Sequence, residues 1–242
     1  MNTLIKLITA TLLSMMLHSC QFDMNINTGV SGNGTVVTET REINSDFNRI
    51  SVSRGLDVYI TQSNIPNLEV EADENLHDII TTEVEGNTLR ISASDNIRRS
   101  KAQIVRVNVK DLEEIKATSG SDVFSETVLV YDDLILKATG GADLNVEVKT
   151  KNLECRSTSG SDLIVRGTTV NLIAEATSGS DINAKDLKAE DSKVSATSGS
   201  DIRVHSSNSL SASATSGADV RYYGNPTTVK KSDNSLGSVR KQ

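Results

Sequence analysis

The sequence predicts an all-β chain, a parallel β-helix (β-solenoid) with coils of about 19–20 residues. Three observations predict it. A hexapeptide recurs six times: ATSGSD at 117–122, ATGGAD at 138–143, STSGSD at 157–162, ATSGSD at 176–181, ATSGSD at 196–201 and ATSGAD at 214–219. Its glycines, Gly120, Gly141, Gly160, Gly179, Gly199 and Gly217, lie 21, 19, 19, 20 and 18 residues apart, a supersecondary period and not a helical heptad. Apolar columns flank every copy, with Ile115, Leu136, Cys155, Ala174, Val194 and Ala212 before it and Val123, Leu144, Leu163, Ile182, Ile202 and Val220 after it. A second column, Val146, Val165, Ala184, Val204 and Tyr222 with Ser125, follows two residues later. The residue between is usually polar, although Phe124 and Ile164 break that rule. Alternation of this kind marks a strand with one buried face.

Composition agrees with a narrow core. The chain has 242 residues, 3% aromatics and no Trp, so ladders of Val, Ile, Leu and Ala must do the packing. The formal charge is −7, and an acidic surface poor in aromatics excludes nucleic acid as a partner class.

Residues 1–19 carry one Lys and an apolar run from Leu7 to Leu17, too short for a membrane span and suited to a secretory leader. Leu17-His18-Ser19-Cys20 is similar to a lipobox, which predicts cleavage before Cys20, acylation of its thiol and a membrane partner through that anchor. Gln21 is not the Asp associated with inner-membrane retention, so the expected address is the cell envelope at the outer membrane. Residues 20–40 read as the lipidated Cys and a polar, Gly-rich tether. The solenoid domain is expected over residues 41–227, and 228–242 as a polar C-terminal cap or tail.

Within the domain, FNRISVSRGLDVYI at 47–60, LEVEA at 68–72 and AQIVRVNVK at 102–110 alternate as strands. Residues 73–84 are the one candidate for a short helix, with Asp73 as its N-cap, and Gly86-Asn87 marks a turn. SRGLDV at 53–58 reads as a seventh, degenerate copy, with Asp57 lying 65 residues before Asp122. With Cys20 acylated, Cys155 has no disulfide partner, and among aliphatic neighbours it reads as a core residue.

The candidate site residues are the motif carboxylates Asp122, Asp143, Asp162, Asp181, Asp201 and Asp219. Stacked one strand apart, like charges repel by about 1 kcal/mol per pair in water and roughly 3–4 at an effective dielectric of 20. Three readings compete. Ser-Gly-Ser-Asp is turn chemistry, so the motif can be the corner of each coil. A column of carboxylates can also hold cations weakly, although one Asp per coil is far from the oxygen count calcium prefers. Paired carboxylates could act as acid and base on a polysaccharide, but that chemistry requires unlike environments, and the corners are alike. His77 and His205 have no motif context and read as solvated loop residues. No metal, cofactor or enzyme is expected. Lys116, Lys137, Arg156, Glu175, Ser195 and Ser213 read as a solvated strand face whose basic half could touch an anionic glycan. Thr118, Thr139, Thr158, Thr177, Thr197 and Thr215 read as a hydrogen-bonding ladder or, equally, a flat hydroxyl surface for adhesion.

FNRISVSRGLDVYITQ, LEVEADENLHDIITTEVEGNTLRIS, the repeated corners and YYGNPTTV together resemble the auto-transporter adhesin family with a head GIN domain, over about residues 43–225. The resemblance implies a right-handed helix and an adhesive role in the envelope, with a glycan or a protein as ligand. It supplies no catalytic residues. A structural envelope component without a dedicated ligand, and a carbohydrate-active enzyme, are the alternatives from other classes.

Overall fold

The computed structural model describes residues 29–43, 47–234 and 236–242; the leader, Cys20 and the tether up to residue 28 lie outside the described residues. The described chain is a β-solenoid of about seven turns. Asp143–Thr158, Asp162–Thr177, Asp181–Thr197 and Asp201–Thr215 each sweep out most of a coil, and each pairs in parallel with the next. Shorter strands, Glu114–Thr118, Asp122–Ser125 and Asp133–Thr139, build the preceding turns on the same register.

Burial follows the columns read from the sequence. In Asp143–Thr158, residues 144, 146, 148 and 150 point inward, two consecutive exposed residues at 151–152 change the phase, and residues 153, 155 and 157 are buried again. Ile115, Leu136, Cys155, Ala174, Val194 and Ala212 are all buried, as are Val123, Leu144, Leu163, Ile182, Ile202 and Val220. Each large aliphatic side chain removed from water contributes about 1.5–3 kcal/mol, so the columns are the main stabilising term.

The degenerate copy occupies its place in the stack. Arg49–Val52 and Asp57–Gln62 pair in parallel with Glu114–Thr118 and Asp122–Ser125, bringing Asp57 opposite Asp122. The intervening residues return as an end cap. Thr88–Ala93 and Gln103–Val109 continue the parallel stack outward, and then Ile80–Glu85, Asn67–Asp73 and Val36–Thr40 add antiparallel strands.

Three expectations change here. The helix expected over 73–84 is a 3-10 turn at Glu74–Leu76 followed by the strand Ile80–Glu85. Thr81, Thr82 and Val84 favour a strand, and Gly86-Asn87 closes it as a hairpin on Thr88–Ala93. Asp73 makes no helix cap; its buried carboxylate accepts hydrogen bonds from the N–H groups of Gly34 (2.5 Å), Lys101 (2.6 Å) and Ala102 (3.1 Å). The last dozen residues of the expected tether are structured, since Val30–Ser31 pairs with Ile97–Arg99 and Val36–Thr40 with Asn67–Asp73. At the other terminus, the polar tail forms Thr228–Asp233 and Ser238–Lys241, which extend the stack. There the Lys231 ammonium lies 5.0 Å from the centre of the Tyr222 ring and donates to the Val239 carbonyl (3.3 Å), a lid on the open end of the core.

Coil length varies, but never at the motif. The extra residue of Asp181–Thr197 and the deficit of Asp201–Thr215 appear as register shifts between Ile164 and Gly167, Ala184 and Lys188, and Ala189 and Asp191. Gly167 sits in this irregular side at φ 109°, where a Cβ would overlap the Val148 carbonyl oxygen. Gly179, at φ 68° in a motif corner, has open space around it. Gly179→Ala therefore incurs only conformational strain, about 1 kcal/mol, while Gly167→Ala must displace a neighbouring coil and loses about 3 kcal/mol or more. Thermal melts should separate the two variants, with Gly167→Ala much the lower; equal Tm values would contradict this account of the two corners.

Candidate functional site

The motif is a corner built from two consecutive left-handed residues. Ser119, Ser159, Ser178, Ser198 and Ser216 have φ of 55–60°, and the glycine after each also has positive φ. In the one copy that lacks this serine, Gly140 takes the place at φ 66°. The degenerate copy turns the same way, with Arg54 at 68° and Gly55 at 70°. Serine rarely adopts this conformation, so each corner stores strain that its surroundings must offset.

In the four copies that carry one, a second serine supplies the offset; Ala142 and Ala218 stand there in the other two. Ser180 is fully buried; its hydroxyl accepts from the Thr177 N–H (3.1 Å) and is within donating distance of the carbonyls of Thr177 (2.9 Å) and Ser157 (2.7 Å), the latter one coil back. Ser121, Ser161 and Ser200 repeat the arrangement. Backbone bonds complete it. The Gly179 N–H donates forward to the Ser198 carbonyl (3.1 Å), and the Asp181 N–H donates back to Ser161 (3.0 Å).

The motif carboxylates stand in one column, Asp57, Asp122, Asp143, Asp162, Asp181, Asp201 and Asp219, joined strand to strand. Their side chains point outward, half-buried or exposed. Among the described residues, none accepts a backbone N–H; Asp219 accepts from the Ser238 hydroxyl, and the Arg221 guanidinium lies 3.9 Å from Asp201 and 3.6 Å from Asp219. The backbone does not demand a carboxylate there, because Ile104 and Ser238 hold the same register place at the two ends of the column. No three His, Cys, Asp or Glu side chains among the described residues converge as a metal-holding group.

Burial comes first in the electrostatics of three of these carboxyls, and neighbouring charge second in two of them. Partial burial raises the carboxyl pKa of Asp57 above its ordinary value. Burial, then the charges of Asp57 and Asp143, raise Asp122; burial, then Asp143 and Asp181, raise Asp162.

Two residues along, a second outward column runs beside the carboxylates. Arg106 stacks 5.1 Å over the Tyr59 ring, and Tyr59 stacks on Phe124 with ring centres 5.1 Å apart and an interplanar angle of 23°. Asn145 comes next, and the Arg166 guanidinium donates to its Oδ1 (2.6 Å). The short Asn leaves a notch of about 120 Å³ between Phe124 and Ile164, bordered by Asp122, Asp143 and Asp162. This stack was not expected from sequence. The signal was present, since Phe124 breaks the polar alternation and the 65-residue offset that pairs Asp57 with Asp122 also pairs Tyr59 with Phe124.

Other candidates fall elsewhere. In the basic column, Lys137 pairs with Glu114 (2.7 Å) and Arg156 with Glu154 and Glu175 (the latter at 3.7 Å), so its charge is largely neutralised. The Thr column lines the corner, and Thr215 donates to Thr197 (3.2 Å). Cys155 is fully buried; burial, then the Glu154 charge, push its thiol pKa far up, which leaves it unreactive. Neither histidine is a solvated loop residue. His77 is buried, with Nδ1 3.0 Å from Glu39 and Nε2 3.2 Å from the Val37 carbonyl, and His205 is half-buried within the strand Asp201–Thr215. Cys20 lies outside the described residues.

A carboxyl with a raised folded pKa favours the protonated fold, so its contribution is fully present below the unfolded value and is lost as pH rises through the folded one. Asp162→Asn should therefore raise Tm at neutral pH, by at most about 2 °C because solvent screening at this exposed position keeps the effect below about 1 kcal/mol, and the gain should vanish below the ordinary carboxyl value. Asp73 behaves in reverse. Burial alone would raise its pKa, but the N–H donors of Ala102, Lys101 and Gly34 outweigh burial and hold it low. Asp73→Asn should destabilise at neutral pH, with the loss shrinking as pH falls through the depressed value. Melts from pH 3 to 8 check both signs, and matching signs for the two variants would contradict the account.

Comparison with known proteins agrees with this geometry. No curated protein matches the sequence. Solved structures share the fold. One is a putative adhesin from Bacteroides fragilis, with a TM-score of 0.82 and 23% identity over 88% of this chain and 100% of that one. A putative adhesin from Parabacteroides merdae has a TM-score of 0.71 and 23% identity over 88% of this chain and 98% of that one. A putative lipid binding protein from Parabacteroides distasonis has a TM-score of 0.70 and 22% identity over 88% and 99%. The family model described as putative auto-transporter adhesin, head GIN domain, matches residues 46–226, about three quarters of the sequence, and the chain belongs to that family.

Proposed function

We propose that this chain is a lipid-anchored adhesin of the cell envelope that presents its Ser/Thr/Asp face to a glycan or protein ligand. One observation carries the reading. Seven carboxylates hold one outward register, and like charge adds to burial at Asp122 and Asp162, although Ile104 and Ser238 fill the same place without a carboxylate. A residue type kept against its own electrostatics, where the fold accepts others, points to a use outside the fold. The adjoining Tyr59–Phe124 stack and the notch over Asn145 add an apolar surface beside the acceptors, the mixture that polar ligands with C–H faces require. The likeness of the corners supports binding over catalysis, which needs neighbouring carboxyls in unlike environments.

The anchor rests on the sequence. Cys20 after Leu17-His18-Ser19 would carry acyl chains, with residues 21–28 as spacer and the outer membrane as address. No helix among the described residues is long and apolar enough to cross a membrane.

Two experiments test the proposal. Radiolabelled palmitate should mark the wild-type chain in membrane fractions, and Cys20→Ser should lose the label and leave those fractions; persistence of both would defeat the anchor. On glycan and envelope-protein arrays, the full chain should bind, and a variant carrying Asp122→Asn, Asp143→Asn and Asp162→Asn should lose about tenfold in affinity. Absence of binding by the wild type, together with an envelope defect in a deletion strain, would instead assign a structural role.

A further inference from the structure

We infer that the outward face of the last two coils, away from the Asp column, is a binding groove for an acidic polysaccharide. Lys193, Ser211 and Lys230 stand in register on three successive strands, and Ser195, Ser213 and Ser232 form the next outward column. Together with Lys231, whose ammonium is turned to Tyr222 and the Val239 carbonyl, they line a groove of about 220 Å³ over the buried Val194 and Ala212, with no carboxylate in its wall. Earlier in the stack the corresponding face is neutralised, because Glu114, Glu154 and Glu175 pair with Lys137 and Arg156. Lys193 and Lys230 have no ion pair with a described carboxylate.

The charge of this end is opposite to that of the rest. Residues 200–242 carry Arg203, Arg221, Lys230, Lys231, Arg240 and Lys241 against Asp201, Asp219 and Asp233, a net charge of +3 in a chain of −7. A basic patch on an acidic protein selects anionic ligands locally while the remainder repels polyanions, so occupancy is confined to this end.

Geometry selects the class of anion. The two lysines are two strand spacings apart, about 9–10 Å, so they suit charges repeated along a chain and not a single phosphate held between them. The four serine hydroxyls between and beside them can both donate to and accept from sugar hydroxyls. An anionic membrane is the less fitting partner, because Val194 and Ala212 are only 2% and 3% exposed and the groove offers no apolar side chain for insertion. Thr228–Asp233, the strand bearing Lys230, is exposed along its whole length, which leaves the groove open on one side for a polymer to enter.

This inference is independent of the Asp face, and its test keeps the two apart. The full chain at physiological ionic strength is titrated with fluorescent polygalacturonate, dextran sulfate and neutral dextran. Both polyanions should bind and neutral dextran should not. Lys193→Gln with Lys230→Gln should weaken polyanion binding about tenfold, and the paired Lys→Arg changes should preserve it. Lys116→Gln, on a distant coil, should leave affinity unchanged, and the triple Asp→Asn variant should not weaken it. Unchanged affinity in the Lys→Gln pair, or equal binding of neutral dextran, would overturn the proposal. Vesicles of phosphatidylglycerol bound as tightly as polygalacturonate, and through the same two lysines, would overturn it in favour of a lipid surface.

Discussion

Every coil of this protein is hydrogen-bonded to the coil on either side, so the point at which one turns dictates where the next must turn. The Ser-Gly corner is where that constraint is met. Two consecutive left-handed residues bend the chain, the glycine N–H reaches forward and the aspartate N–H reaches back. A buried serine hydroxyl satisfies the turn and bonds to the carbonyl of the preceding coil. With the corner pinned on both sides, differences in coil length must be absorbed elsewhere, and the register shifts between these coils all fall outside the motif.

The same constraint stacks like upon like. For the apolar columns this is favourable, because each new Val, Leu or Ile covers the one beneath it at native density. For the carboxylates it is unfavourable, and burial combined with neighbouring charge raises the pKa of Asp122 and Asp162. One repeat thus generates a favourable ladder inside and an unfavourable one outside. The inner ladder accounts for the fold, and the outer one is the face proposed to meet a ligand.

How much was legible follows from how local each signal is. The period and the apolar columns recur within single coils, so the solenoid, the inward Cys155 and the degenerate copy around Asp57 could be read directly. A capping excursion within residues 41–110 could be read, but its strand pairing could not, because antiparallel pairing of Asn67–Asp73 with Val36–Thr40 and Gln103–Val109 is a non-local choice. Asp73 has the same explanation, since its three N–H donors lie at residues 34, 101 and 102 and a capping role was the nearer inference. At the site, the Asp column was foreseen, but its lack of backbone N–H partners was not. The Tyr59–Phe124 contact required following two residues across the 65-residue offset. The two strands of the C-terminal cap were not legible, because Ser238 occupies the Asp place with no motif around it, leaving only Val239 as an inward residue.

The two ends of the stack are chemically distinct from its middle. One is closed by antiparallel strands and the other by the Lys231 ammonium over Tyr222, while the coils between them share one corner and one set of inward columns. An in-frame duplication of about 19–20 residues would therefore insert a whole coil without exposing core or disturbing either cap. Each such event would lengthen the rod by one strand spacing, about 4.8 Å, and add one copy of every outward residue. Valency and reach are coupled in this architecture, and a lineage could tune both through copy number alone.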